Sequence, residues 1–222
     1  KAGIPDQTTV FKSGYRFAPG DVLYKDINGD GKISKGATTS EPGDYSVIGN
    51  IFPRLQYGIN FSAYFKGFDF NIFFQGVGKK NYWAAGNQVL PGYQRGEPYY
   101  TGQDDYWTED NQDAFYPRPI NYQQGQNGNF TINNRYMLNM GYFRLKTLTL
   151  GYSLPKKWMD AIHMQKARIY FTGENLLTFD KVKAAIDPET GARTPGGSSD
   201  SRNFGRIYPY VKTLSFGIQL TF

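Results

Sequence analysis

The feature that most constrains this chain is an alternation that runs without error to its last residue. From Thr213 to Phe222, Leu214, Phe216, Ile218, Leu220 and Phe222 take every second position, and Thr213, Ser215, Gly217, Gln219 and Thr221 fill the gaps. Successive side chains of a β-strand point to opposite faces, so this stretch is a strand with one apolar and one polar side. Residues 55–65 repeat the pattern, with Leu55, Tyr57, Ile59, Phe61, Ala63 and Phe65 on one parity. Phe68, Phe70, Ile72 and Phe74 form the next apolar set, only Lys66-Gly67 intervening. A two-residue hairpin sets Phe65 opposite Phe68 and brings both apolar sets to one side. A fourth strand is expected over about 143–154, with Leu148, Leu150, Tyr152 and Leu154 apolar. At its start Arg144 and Lys146 fall on the apolar parity, which places that end in water or among headgroups, within reach of lipopolysaccharide phosphates. A fifth strand is expected over about 166–174, with Ala167, Ile169 and Phe171 opposed by Arg168, Tyr170, Thr172 and Glu174.

The connections sort by length. Lys66-Gly67 and the stretch 155–165 are short, and His163 reads as a turn residue in the second; 77–142 and 176–210 are long, polar and rich in Gly, Pro, Asn and Tyr. Short turns at one end, long loops at the other and strands of about ten residues with one apolar face describe an outer-membrane β-barrel. A soluble sandwich also alternates, but its strands are shorter and its outer faces carry Lys and Glu, whereas here they carry Gly, Ser, Thr, Asn and Gln. The expected fold class is all-β, an antiparallel transmembrane β-barrel segment. Five strands are too few to close a barrel, since the smallest known have eight. The chain therefore reads as about five C-terminal strands of a larger barrel, with residues 1–54 as an extracellular loop region and 55–222 as strands with long loops. With the C-terminus periplasmic, the long loops are extracellular.

Composition removes other classes. The chain has no Cys and one His, His163, which excludes disulfide scaffolds, Cys nucleophiles and multi-His metal catalysis. No apolar run approaches the 18 residues of a membrane helix. The net charge of +6 is scattered, with no basic run longer than Lys79-Lys80 or Lys156-Lys157, so nucleic acid is not an expected partner.

Several ordered stretches carry a family resemblance. They are Pro19 to Ile33 (PGDVLYKDINGDGKI), Val47-Ile48-Gly49-Asn50 with Pro53, Tyr57-Gly58-Ile59-Asn60, Phe68-Asp69-Phe70 with Phe73-Phe74-Gln75-Gly76, Tyr142 to Lys146, Leu148 to Pro155, Ala167 to Tyr170, Glu174 to Phe179 and Asp187-Pro188-Glu189. In this order they resemble the C-terminal end of SusC/RagA-like TonB-dependent transporters of Bacteroidetes outer membranes. The resemblance implies a 22-stranded barrel with an N-terminal plug, a SusD-like surface lipoprotein as lid, and import of oligosaccharide or peptide cargo driven by TonB through parts not present in this chain. No bond is made or broken in such a role, so no enzyme is expected. The alternatives are a secreted calcium-dependent carbohydrate-binding sandwich and a passive porin.

Three groups of residues are candidates for function. Asp26, Asn28, Asp30 and the Lys32 carbonyl follow the first half of a calcium loop, with Gly31 at the sharp turn. Ala37 stands where the closing acid belongs, and Glu41 or Asp44 would have to loop back to replace it. Calcium is the one expected cofactor, against an ordinary Asn-Gly/Asp-Gly turn. In the 77–142 loop, Tyr82, Trp83, Tyr93, Tyr99, Tyr100, Tyr106 and Trp107, with Tyr116 and Tyr122, suit stacking on cargo or contact with a partner, though most are expected to pack the loops together. Arg168, Tyr170 and Glu174 belong to the lumen face. The acids Asp104, Asp105, Glu109, Asp110 and Asp113 read as a solvated loop.

Overall fold

The computed structural model describes residues 3–11, 14–93, 98–120, 128–189 and 208–222. Strands β1 (Gln56–Phe65), β2 (Phe68–Val77), β5 (Tyr142–Ser153), β6 (Lys166–Asp180) and β7 (Thr213–Thr221) form one antiparallel sheet in the order β1-β2-β5-β6-β7. Two short strands, β3 (Asn81–Trp83) and β4 (Met137–Asn139), make a separate ribbon above it. A helix of one and a half turns, α1 (Lys156–Ala161), lies in the connection between β5 and β6. Among the described residues no helix is long and apolar enough to cross a membrane.

The register follows from the alternation. Phe65 pairs with Phe68, and the turn between them has positive φ at both Lys66 (48°) and Gly67 (88°). That is the two-residue turn whose twist matches the flanking strands. Across all five strands, Ala63, Phe70, Leu150, Phe171 and Phe216 form one apolar row, and Phe65, Phe68, Tyr152, Ile169 and Ile218 form the next. The other face carries Ser62, Asn71, Thr149, Thr172 and Ser215 in a row. Ten residues at about 3.3 Å, tilted about 45°, span roughly 23 Å, the height of an outer-membrane apolar band.

No second layer covers the apolar rows among the described residues. Leu214, Phe216, Ile218 and Leu220 keep 50–72% of their surface exposed. A soluble sandwich requires those side chains to be buried under a second sheet, so the sandwich alternative fails on this face. Aromatic side chains gather at both ends of it. Phe68 lies 4.5 Å from Tyr152 at the short-turn end, and Phe143 lies 5.1 Å from Phe74 and 6.5 Å from Phe179 at the other. The sheet is open, with β1 and β7 as its edges.

Three expectations are corrected by the register. First, the β5 ladder shifts where Phe73 pairs with Thr147 and Phe74 with Leu145, leaving Lys146 in a bulge. A bulge reverses which parity faces which side. Phe143 and Leu145 therefore join the apolar face, and Arg144 turns to the polar face, where it is buried rather than among headgroups. Second, β6 does not stop at Glu174 but continues to Asp180, past a bulge at Asn175-Leu176, so the connection begins at 181 rather than 176. Third, 77–142 is not simply a loop: β2 reaches Val77, and β3 and β4 brace a core of its own.

Candidate functional site

The polar face of the sheet is a continuous hydrogen-bonding wall. Asn71 donates to Ser62 Oγ at 2.7 Å and to Asn60 Oδ1 at 3.2 Å, and the hydroxyls of Thr149 and Thr172 are 3.3 Å apart. Nearer the short turns, Arg168 clamps Asp69, with Nε donating to Oδ1 at 2.8 Å and Nη2 to Oδ2. The guanidinium also lies 4.9 Å from the Tyr170 ring, and that ring covers Gly217, where a Cβ would meet it at 2.3 Å. Glu174, also on this face, pairs in the ladder with Thr147 and Thr213 and lies apart from the clamp. Asp69 was not singled out in the sequence, although its polar parity opposite Gly151 was a usable signal.

Above the sheet, the described residues of 77–142 fold onto the N-terminal segment. Ala84, Val89, Leu90, Tyr116, Phe130, Tyr136, Leu138 and Met140 form the core, with Tyr82, Trp83 and Tyr93 packed against it. Tyr99 and Tyr106 stay exposed, Tyr100 is half-buried, and Trp107 lies over Gly20, whose Cβ would come within 2.5 Å of the ring. Tyr122 lies outside the described residues. Burial pushes Tyr24, Tyr116 and Tyr136 up to about 12, because removal from water penalises the phenolate.

A buried acid that the sequence did not reveal joins the two segments. The Asp21 side chain has no solvent exposure. It accepts from Arg118 Nε at 2.9 Å and Nη2 at 3.0 Å, from the Tyr15 hydroxyl at 2.8 Å, from Asn129 Nδ2 at 3.0 Å and from the Ala18 N–H at 2.9 Å. Burial, then the neighbouring Asp21, raise the Tyr15 hydroxyl, and the hydrogen bonds to Asp21 raise Arg118. Tyr15, Asp21, Val22 and Tyr24 thus bind the N-terminal segment to Arg118, Gly128 and Asn129 of the upper assembly.

In the acidic turn, Asp44 does loop back. Carboxylate oxygens of Asp26, Asp30 and Asp44 lie within 4.8 Å of one another. Asp26 accepts from the N–H groups of Gly29 and Gly31 at 2.6 and 2.8 Å, and Asn28 Oδ1 from that of Asp30 at 3.0 Å. Asp44 accepts from Ile27 at 2.6 Å and Ser34 at 2.7 Å, and these N–H groups, Ser34 first, hold its carboxyl below the usual range. Hard oxygen donors on a turn pinned by its own backbone fit a hard cation in chemistry. Glu41 is not part of this group.

An apolar face open to its surroundings, a polar face lined with hydroxyls and amides, and an aromatic-rich assembly above one end define the wall of a membrane β-barrel. No family model matches the chain. It is 30% identical over 213 residues to TonB-dependent receptor P3 of Formosa agariphila, covering 92% of this chain and 19% of that protein. It is likewise 30% identical over 214 residues to TonB-dependent receptor P26 of the same organism, covering 91% and 20%. The fold matches the RagAB peptide importer in its closed-closed state with a TM-score of 0.58 at 24% identity, over 91% of this chain and 21% of that one. A second RagAB peptide transporter structure gives 0.52 at 26%, over 82% and 18%. Over nearly its whole length the chain is similar to a stretch of these TonB-dependent receptors, and in fold to a stretch of the RagAB transporter, and it spans about a fifth of the length of the relatives it matches.

Proposed function

We propose that this chain forms one sector of the wall and mouth of an importer that takes up oligosaccharide or peptide cargo with a SusD-like lipoprotein as its lid, driven by TonB. The observation that carries the reading is the two-faced sheet, with exposed apolar rows on one side and a hydroxyl and amide wall on the other. The open edges β1 and β7 would pair with strands from the rest of the barrel, since unpaired backbone groups are very costly in lipid. The short turns face the periplasm, as does the end of β7, and the 77–142 assembly faces outward. There Tyr99 and Tyr106 offer exposed rings to lid or cargo, while Arg168, Tyr170 and Glu174 border the passage. Asp26, Asn28, Asp30 and the Lys32 carbonyl, with Asp44, would hold calcium and so stiffen the turn; calcium titration of the full transporter, with Asp26→Asn as control, measures it. Cargo class favours peptide slightly, because the structural neighbours are named as peptide importers. The deciding experiment is uptake of labelled peptides and oligosaccharides by cells carrying the full transporter, with and without the adjacent lipoprotein and with TonB disabled. Uptake that persists without TonB overturns the reading in favour of a porin.

A further inference from the structure

We infer that Arg144 is a positioning residue that fixes both feet of the β6–β7 connection on the polar face of β5. Three independent features converge on it. The Lys146 bulge turns Arg144 away from the apolar face. On the descending foot, Arg144 donates from Nη2 to Asp187 Oδ2 at 2.7 Å and from Nη1 to Glu189 Oε2 at 2.9 Å, while its Nε donates to Thr178 Oγ1 on β6 itself at 2.8 Å. Lys146 adds contacts of 3.2 Å to both Glu189 oxygens. On the ascending foot, the Tyr210 ring lies 5.6 Å from the Arg144 guanidinium and 4.3 Å from Lys146 Nζ. Asn175, in the facing bulge at φ 52°, donates to the Val211 carbonyl at 3.3 Å.

Two cations therefore meet two acids in a site where the Arg144 side chain is 3% exposed and Asp187 7%. A guanidinium directs donors along several fixed directions, so one residue can hold Thr178, Asp187 and Glu189 together, and a lysine at its place cannot. Asp187, Glu189, Tyr210 and Val211 of the connection meet the β5–β6 bulge, while Val182, Ala184 and Ile186 pack against the 77–142 core, so the bulge fixes where the two ends of the connection leave and rejoin the sheet. The inference goes beyond the import reading and its test needs no cargo.

The test uses spin-label distances in a cysteine-free background of the full transporter, labelled at Lys156→Cys on α1 paired with Ala185→Cys, or with Tyr208→Cys; all three sites are exposed. The parent should give one narrow distance distribution for each pair. Arg144→Gln should at least double both widths, and Arg144→Lys should give intermediate widths. Asp187→Asn with Glu189→Gln should broaden the Ala185 pair, and because it leaves the strand intact it decides the matter if Arg144→Gln does not fold. Unchanged widths in the acid double variant overturn the inference. A lower unfolding midpoint with unchanged widths also overturns it, because that outcome belongs to a residue that braces only the barrel.

Discussion

Arg168 reaches Asp69 across Gly151, through space that exists only because Gly151 has no side chain: a Cβ there would lie 2.4 Å from Asp69 Oδ1 and 2.6 Å from Arg168 Nη2. The three residues come from three neighbouring strands, so the pair ties β2 to β6 over the back of β5.

Gly151→Ala should break this clamp, because the ends of two flexible side chains move more cheaply than the strands do. The pair is partly exposed, at 21% and 29%, so the loss should be about 1 kcal/mol or less. In the Asp69→Asn background the same substitution should cost clearly less. Urea unfolding of the four proteins in lipid vesicles measures the coupling, and equal costs in both backgrounds would show that the clamp is not what Gly151 protects.

Charge placed on the two faces of β7 should have opposite consequences. Phe216→Arg puts a cation on the apolar rows near mid-strand and should cost about 2–4 kcal/mol in a bilayer. Ser215→Arg, on the hydroxyl wall, should cost under about 1 kcal/mol. Folding yield into vesicles, read from the heat-dependent gel shift, reports both.

Asp21→Asn leaves the Arg118 guanidinium facing a neutral amide in a place where Asp21 had no exposure. Breaking a buried pair from one side costs about 3–5 kcal/mol, reduced here because Arg118 is 28% exposed. The loss should be local. Limited proteolysis should cut the 15–25 segment at least tenfold faster, while the sheet keeps its amide-exchange protection.

Tyr24, Tyr116 and Tyr136 set an alkaline limit on the upper assembly. Their hydroxyls are held at about 12 in the fold against 10.0 in an unfolded chain. A raised value adds stability that is fully present below pH 10 and is lost as pH rises toward 12. Absorbance at the phenolate band should rise in two stages, exposed tyrosines first. Tyr116→Phe and Tyr136→Phe should each remove part of the late stage; a single stage near pH 10 would contradict the burial of these rings.

Asp44 acts at the other end of the scale. Its carboxyl is depressed by the N–H groups of Ser34, Ile27 and Asn28, so the stability it adds is present above its unfolded value of 3.8 and is lost as pH falls through its lower folded value. Amide protection factors at Ile27 and Ser34, taken relative to the unfolded chain at the same pH, should fall below about pH 4, and in Asp44→Asn that fall should vanish.

The strands were legible because alternation is a local property: β1, β2, β7 and the Phe65–Phe68 turn follow from side-chain spacing alone. The bulges were not. Arg144 and Lys146 looked like outward cations because a period of two cannot register an extra residue, and Glu174 looked like the end of its strand because the extra residues Asn175-Leu176 break the pattern. The candidate aromatics were legible as a group, but the sequence did not separate Trp83, packed on the inner core, from exposed Tyr99. That depends on which distant segment covers each ring.

What the sequence determined by itself was the two-sided character of the sheet and the pairing of short and long ends, since both depend on residues at most a few positions apart. What only the tertiary structure decided was every contact bridging distant segments: Asp21 with Arg118, Asp69 with Arg168, Arg144 with Asp187 and Glu189. A charged side chain carries no record of its partner in its own neighbourhood. The partner is set by the register of strands and the path of the loops, and a single bulged residue is enough to send a cation from one face of the wall to the other.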